Sequence, residues 1–156
     1  MTPRENRALI RRLFEETAAG DLAILDRLAR PTAIFHSWAC PDAGLSPAIG
    51  PAGQRDRLAL FRAAFPDSEF AIRELGARAD FVVLRWAATG THQGALLGVS
   101  PTGKRATRRG TAIYCLAGGR IAEEWGHFDL RGLLRQLADG GAPSAAAAAV
   151  AEAAGA

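Results

Sequence analysis

The apolar period of this chain changes at Pro66. Before it, hydrophobic residues recur every three or four positions; after it, they recur every two. A chain patterned this way commits its first part to helices and its second to strands, and the two must bury their apolar faces against each other. The expectation is an α+β domain in which helices come first and a sheet follows, without the strand–helix alternation of a parallel fold.

The helical part is punctuated by caps and breakers. Thr2-Pro3-Arg4-Glu5 has the form of a capping box with proline at the first helical position, and Leu9, Ile10, Leu13, Phe14 and Thr17 follow at helical spacing as far as Gly20. Asp21 is placed to cap a second, short helix through Leu22, Leu25 and Leu28, which Pro31 stops. A strand-like run from Thr32 to Trp38 leads into an irregular loop from Pro41 to Gly50. Gly50-Pro51-Ala52-Gly53 reads as a turn into a third helix carrying Leu58, Leu60, Phe61 and Phe65.

Beyond Pro66, strands are expected over Phe70–Ala77, Phe81–Thr91, Arg105–Leu116 and Arg120–Phe128. Arg78-Ala79-Asp80 and Ala117-Gly118-Gly119 are the short turns, and a loop broken by glycine and proline runs from Gly94 to Gly103. Strands joined by short turns pair antiparallel. Asp129 is placed to cap a last helix through Leu130, Leu133, Leu134 and Leu137.

Composition narrows the function classes. A length of 156 residues with 49% hydrophobic content suits one domain with a proper core. That domain is expected over residues 1–138; the Ala/Gly-rich stretch 139–156 offers no apolar face and reads as disordered or transiently helical. The net charge of +3 is spread along the chain, and the tightest basic group, Lys104, Arg105, Arg108 and Arg109, lacks interleaved aromatic residues, so no nucleic-acid partner is expected. Cys40 and Cys115 match no metal or redox spacing and read as small buried hydrophobes with free thiols. The polar start does not read as a signal peptide, and outside the tail no stretch approaches the ~20 apolar residues of a membrane span. A soluble cytoplasmic protein follows. Paired carboxylates at a diagnostic spacing, a Gly-x-Ser-x-Gly elbow and a phosphate loop are all missing, and three scattered histidines make no metal site.

Six words in order carry a family resemblance. Gly90-Thr91-His92-Gln93-Gly94, Gly98-Val99-Ser100-Pro101-Thr102-Gly103-Lys104, Gly119-Arg120-Ile121-Ala122-Glu123-Glu124-Trp125 and the segment Asp129 to Leu137 resemble the SnoaL-like polyketide cyclase family. Gly50-Pro51-Ala52-Gly53 and Phe65-Pro66-Asp67 fall where that family has similar words, so the likeness spans residues 5 to 138. It implies a nuclear transport factor 2-like cone, in which three N-terminal helices pack on a curved antiparallel sheet around an internal apolar pocket. It also implies a homodimer through the convex sheet face, where Trp125 and Ile113 would lie. The implied activity is ring closure on polyketide intermediates by intramolecular aldol chemistry without metal or cofactor, using a pocket aspartate as general acid/base. The resemblance puts that aspartate directly after the tryptophan of Glu-Glu-Trp; here the residue is Gly126. Asp129, three positions on, is explained by capping.

Strand alternation groups the candidate site residues. Gly110, Ala112 and Tyr114 share one face, as do Glu124 and Gly126, while His127 takes the face opposite Gly126. The resemblance places positions 110, 112 and 126 on the pocket side, where small residues would widen the pocket and leave Tyr114 and Glu124 as its polar groups. Burial would raise the Glu124 pKa and suit it to proton transfer; the alternative is an ion pair with an arginine on an adjacent strand. His36 shares a side with Trp38 and reads either as a general base at the pocket mouth or as a histidine bonded to loop backbone. The candidate catalytic residues are therefore His36, Tyr114 and Glu124. The candidate substrate wall is Phe14, Phe35, Trp38, Phe61, Leu84, Trp86, His92, Ala112 and Gly126, with His92 also readable as a turn-stabilising residue.

With glycine at the acid/base position, the expected function is a cofactor-free cyclase that folds a largely apolar polyketide-derived substrate and closes a ring by cycloaddition or addition. Two alternatives stand beside it. One is an aldol cyclase using His36 or Asp129 as base; the other is a non-catalytic module that binds a hydrophobic small molecule.

Overall fold

A computed structural model describes residues 1–37 and 47–138. Trp38, Cys40 and the tail 139–156, each the subject of an expectation above, lie outside the described residues. Helix α1 (Pro3–Ala19) begins on a complete capping box and ends at Gly20, whose φ of +102° is left-handed. Thr2 Oγ1 accepts from the Glu5 amide at 3.3 Å, and the Glu5 carboxylate accepts from the Thr2 amide at 2.7 Å. Helix α2 (Ile24–Leu28) starts later than its apolar residues suggest: Ala23 is its N-cap residue, without a side-chain cap, in place of the expected Asp21. Strand β1 (Ala29–Ser37) likewise starts earlier: Pro31 lies inside it, and the residue before a proline is driven to extended backbone.

After strand β2 (Ala48–Ile49), helix α3 (Gly50–Ala64) opens on Gly50 itself. Two constraints require glycine there. Its φ is +74°, and a Cβ at this position would sit 2.7 Å from the Pro31 carbonyl oxygen. Gly50→Ala is expected to lower stability by more than about 1 kcal/mol, read from urea unfolding midpoints.

Strands β3 (Glu69–Arg78), β4 (Phe81–Thr91), β5 (Arg105–Ala117) and β6 (Arg120–Phe128) form the antiparallel meander that the sequence predicts. Gly118 and Gly119, at φ of +60° and +75°, make the two-residue β5–β6 turn, whose twist matches that of the strands it joins. The sheet order is β2-β1-β6-β5-β4-β3, and β1 lies parallel to β6. That one parallel pair departs from an all-antiparallel sheet: no tight turn joins β1 to β6, so no local signal sets its direction. Register shifts in β3 and at the β5–β6 pairing bend the sheet. Helix α4 (Leu130–Ala138) starts where Asp129 Oδ1 accepts the Gly132 amide at 2.7 Å.

Helix α1 packs on β3 and β4, α3 on β1, and α4 on β5. The buried side chains form two clusters. One joins Ile10, Leu13, Ile24, Leu25 and Phe35 to Val82, Leu84, Ala112 and Ile121; the other joins Phe61, Phe65 and Leu96 to the α4 leucines. On the outer face of the sheet, Ile34, Phe81, Val83 and Ile113 are exposed. The expected basic group is divided by strand alternation: Arg108 is buried, whereas Arg105 and Arg109 are exposed. Cys115 is a free thiol that is only half-buried, where full burial was expected. Among the described residues, no helix is long and apolar enough to cross a membrane.

Candidate active site

A cavity of about 190 Å³ opens where the two clusters meet, bordered by side chains from α1, α3 and the inner face of the sheet. Of the candidate wall residues, Phe14, Phe35, Phe61, Trp86, Ala112 and Gly126 border it. Leu84 and His92 do not, and each is a correction with a physical cause. Leu84 is fully buried in the first cluster, and its strand partner Ala112 is the residue that reaches the cavity. His92 is fully buried in the loop after β4, where Nδ1 accepts the Thr102 amide at 3.2 Å and the ring packs on Phe65. Its burial holds the imidazole below its ordinary pKa, which fits the turn-stabilising reading.

Glu124 is the polar centre of the cavity. On β6 it stands directly opposite Tyr114 of β5, and the next inward pair along the strands is Gly126 and Ala112. The Tyr114 hydroxyl donates to Glu124 Oε1 at 3.3 Å, and Gln54 Nε2 donates to Oε2 at 3.2 Å. Gln54 is itself oriented by Arg57, whose Nη1 donates to the amide oxygen at 3.1 Å. Burial is the main reason that the Glu124 pKa is pushed up to about 7; the Tyr114 hydrogen bond and the Arg57 charge act the other way. Burial, then the neighbouring Glu124 charge, drive the Tyr114 pKa well above its ordinary value, so the phenol remains a donor. The arginine that Glu124 feels thus comes from α3 and not from an adjacent strand.

The expected gap at position 126 is only partly a gap. A Cβ built on Gly126 would lie 3.2 Å from Glu124 Oε1, so the carboxylate lies over the glycine. Side chains in strands lean along the strand direction, and a glutamate two residues back is long enough to arrive there. Gly110 does not widen the cavity either: a Cβ there would meet the Trp86 indole at 2.5 Å, so the tryptophan already covers it.

His36 borders the cavity, but its imidazole is turned away. Nε2 pairs with Glu123 Oε1 at 2.7 Å, and the ring stacks on Trp125 with centroids 5.6 Å apart. Glu123 and Trp125 alternate with Glu124 and Gly126, which puts all three on the outer face of the sheet. Asp129 is spent on the α4 cap and does not border the cavity. His127 does border it, although alternation assigns it to the other face.

Sequence reading missed Gln54 and Arg57. Gln54 falls on the apolar stripe of α3 with Leu58, Phe61 and Phe65, and a polar residue in such a stripe was the available signal. It missed Arg108 as well, although Arg108 has the same strand parity as Tyr114. Among the described residues, no three His, Cys, Asp or Glu side chains converge as metal ligands.

Helices closing one face of a bent sheet, with a polar group at the heart of an apolar cavity, define a nuclear transport factor 2-like pocket protein. The chain belongs to the SnoaL-like polyketide cyclase family, whose model matches residues 8–137. The candidate polyketide cyclase IdmH from Streptomyces antibioticus is 29% identical, with a TM-score of 0.74 over 85% of this chain and 97% of that one. A candidate polyketide cyclase from Acidithiobacillus ferrooxidans is 28% identical, with a TM-score of 0.73 over 86% and 95% of the two chains. The candidate hydroxylase AclR from Streptomyces galilaeus is 25% identical, with a TM-score of 0.77 over 88% and 98%. No curated protein matches this chain.

Proposed function

We propose that this protein is a cyclase acting on a largely apolar, polyketide-derived substrate, and that Glu124 is the general acid/base of ring closure. One observation carries the reading: a buried carboxylate with a pKa near 7 lies over the glycine where the family resemblance expects an aspartate. A group that titrates near neutrality both accepts and returns protons efficiently. This moves the chemistry from the expected cycloaddition toward proton-assisted addition to a carbonyl.

Ionised Glu124 would take the proton from a carbon flanked by carbonyls, and that carbon would then attack a ketone of the same chain. Protonated Glu124 would return the proton to the resulting alkoxide, so substrate and product are isomers. The cavity walls contribute by holding the chain folded with its reacting carbons close together. Tyr114 and Gln54 fix the carboxylate in place.

The test is ring closure of an aromatic 3-oxo ester bearing a tethered ketone, followed by chromatography. Wild-type protein should accelerate it. Gly126→Phe, which fills the cavity and pushes the carboxylate aside, should slow it by about 100-fold. Binding of the ester without acceleration would instead support a non-catalytic carrier, and a folded, fully active Gly126→Phe protein would contradict the placement of the chemistry.

A further inference from the structure

Proton transfer at Glu124 leaves one charged cavity residue without a task. Arg108 on β5 is only 5% exposed, and it shares its strand face with Gly110, Ala112 and Tyr114. Its guanidinium carbon lies 5.2 Å from the Phe61 ring centroid, 4.9 Å from that of Phe65 and 5.6 Å from that of Phe70. Nη2 donates to Ser68 Oγ at 3.1 Å. A guanidinium has five N–H donors, and among the described residues no carboxylate pairs with this one. The acidic residue beside Ser68, Asp67, is taken up by Thr91, whose amide and hydroxyl each donate to it at 2.7 Å.

A buried cation needs a counter-charge or hydration, and aromatic faces supply only part of that. Burial accordingly depresses the Arg108 pKa to about 10. Arg108, Ser68 and the three phenylalanines all border the cavity, so an anion inside it comes within reach of the guanidinium. The Glu124 carboxylate lies over Gly126, whose partner Ala112 is four residues from Arg108 on β5, roughly 13 Å along the strand. The cavity therefore has two polar poles, Glu124 with Tyr114 near one end and Arg108 at the other, and Trp86, Ala112 and Phe128 border it as well.

We propose that Arg108 is an anion-binding subsite, and that the substrate is an elongated, mostly apolar molecule whose ionised carboxylate pairs with it. This rests on the reading of the cavity as a substrate site and narrows the substrate class. The carboxylate supplies the charge that the chain withholds, and it fixes which end of the molecule faces Glu124.

Calorimetric titration with 2-naphthoate and with its methyl ester tests this without the natural substrate. Wild-type protein should bind the acid about 10- to 100-fold more tightly, the worth of a charge-assisted hydrogen-bonded pair. Arg108→Gln should lose that preference, and Arg108→Lys should keep a reduced one. Equal wild-type affinity for acid and ester overturns the proposal, whether or not the glutamine variant folds; so does an acid preference that survives in folded Arg108→Gln. Turnover of the 3-oxo ester, which has no carboxylate, is read separately. Acid preference without turnover would count against Glu124 alone, and turnover without acid preference against Arg108 alone.

Discussion

Glu124→Gln is expected to lower the rate of ring closure by about 10²- to 10⁴-fold, the usual contribution of a positioned acid/base group. The substitution is close to isosteric. The side-chain oxygen can still accept from the Tyr114 hydroxyl, as Oε1 does at 3.3 Å, so the pairing across β5 and β6 survives. What disappears is the proton-carrying capacity. The loss should fall on kcat and leave KM largely in place, because the apolar wall that holds the substrate is untouched. The wild-type rate should rise with pH through about 7 as Glu124 ionises, and the variant should lose that limb. Steady-state kinetics across this range, with circular dichroism to confirm folding, provide the check; an unaltered rate would remove Glu124 from the mechanism.

The second large effect is on stability, and its sign is opposite to that of an ordinary paired carboxylate. Glu124 has a pKa of about 7 in the folded protein against 4.5 for the free side chain. Between those values the folded state keeps a proton that the unfolded state has released, so ν_U is smaller than ν_N and stability falls as pH rises. The stability is fully present below 4.5, declines across the interval and levels off above about 7. A shift of this size corresponds to about 3 kcal/mol, so wild-type protein should unfold at clearly lower urea concentration on the alkaline side. His92, held below its ordinary value of 6.5 by burial, acts in the opposite direction over an overlapping range. The difference between wild type and Glu124→Gln, measured at each pH, isolates the glutamate. A difference that does not change with pH would mean that the buried carboxylate is not the group described here.

The elements that local chemistry determines were legible in the sequence. The Thr2–Glu5 box, the Gly118-Gly119 turn and the Asp129 cap are decided by residues within a few positions of one another, and β4 and β6 occupy the predicted ranges. The direction of β1 was not legible, because it depends on a partner strand far along the chain. Parity correctly placed Tyr114, Glu124, Ala112 and Gly126 on one face. It could not reveal that the Glu124 side chain leans over Gly126, or that Trp86 covers Gly110, since both follow from side-chain length and direction in three dimensions. His36 shows the same gap from the other side. One reading of the sequence put His36 at the pocket mouth as a general base, but the pairing of β1 with β6 turns the imidazole to Trp125 on the outer face. Arg108 was hidden in a run of basic residues that looks like one patch until alternation divides it.

The central claim is that a buried carboxylate in the cavity exchanges its proton near neutral pH. Titration of protein carrying ¹³C-labelled glutamate side chains, with Glu124→Gln used to assign the resonance, measures this directly. The Glu124 carboxyl should titrate near 7, well above the 4.5 of the free side chain. A Glu124 signal that titrates near 4.5, the value of the free side chain, would contradict the account.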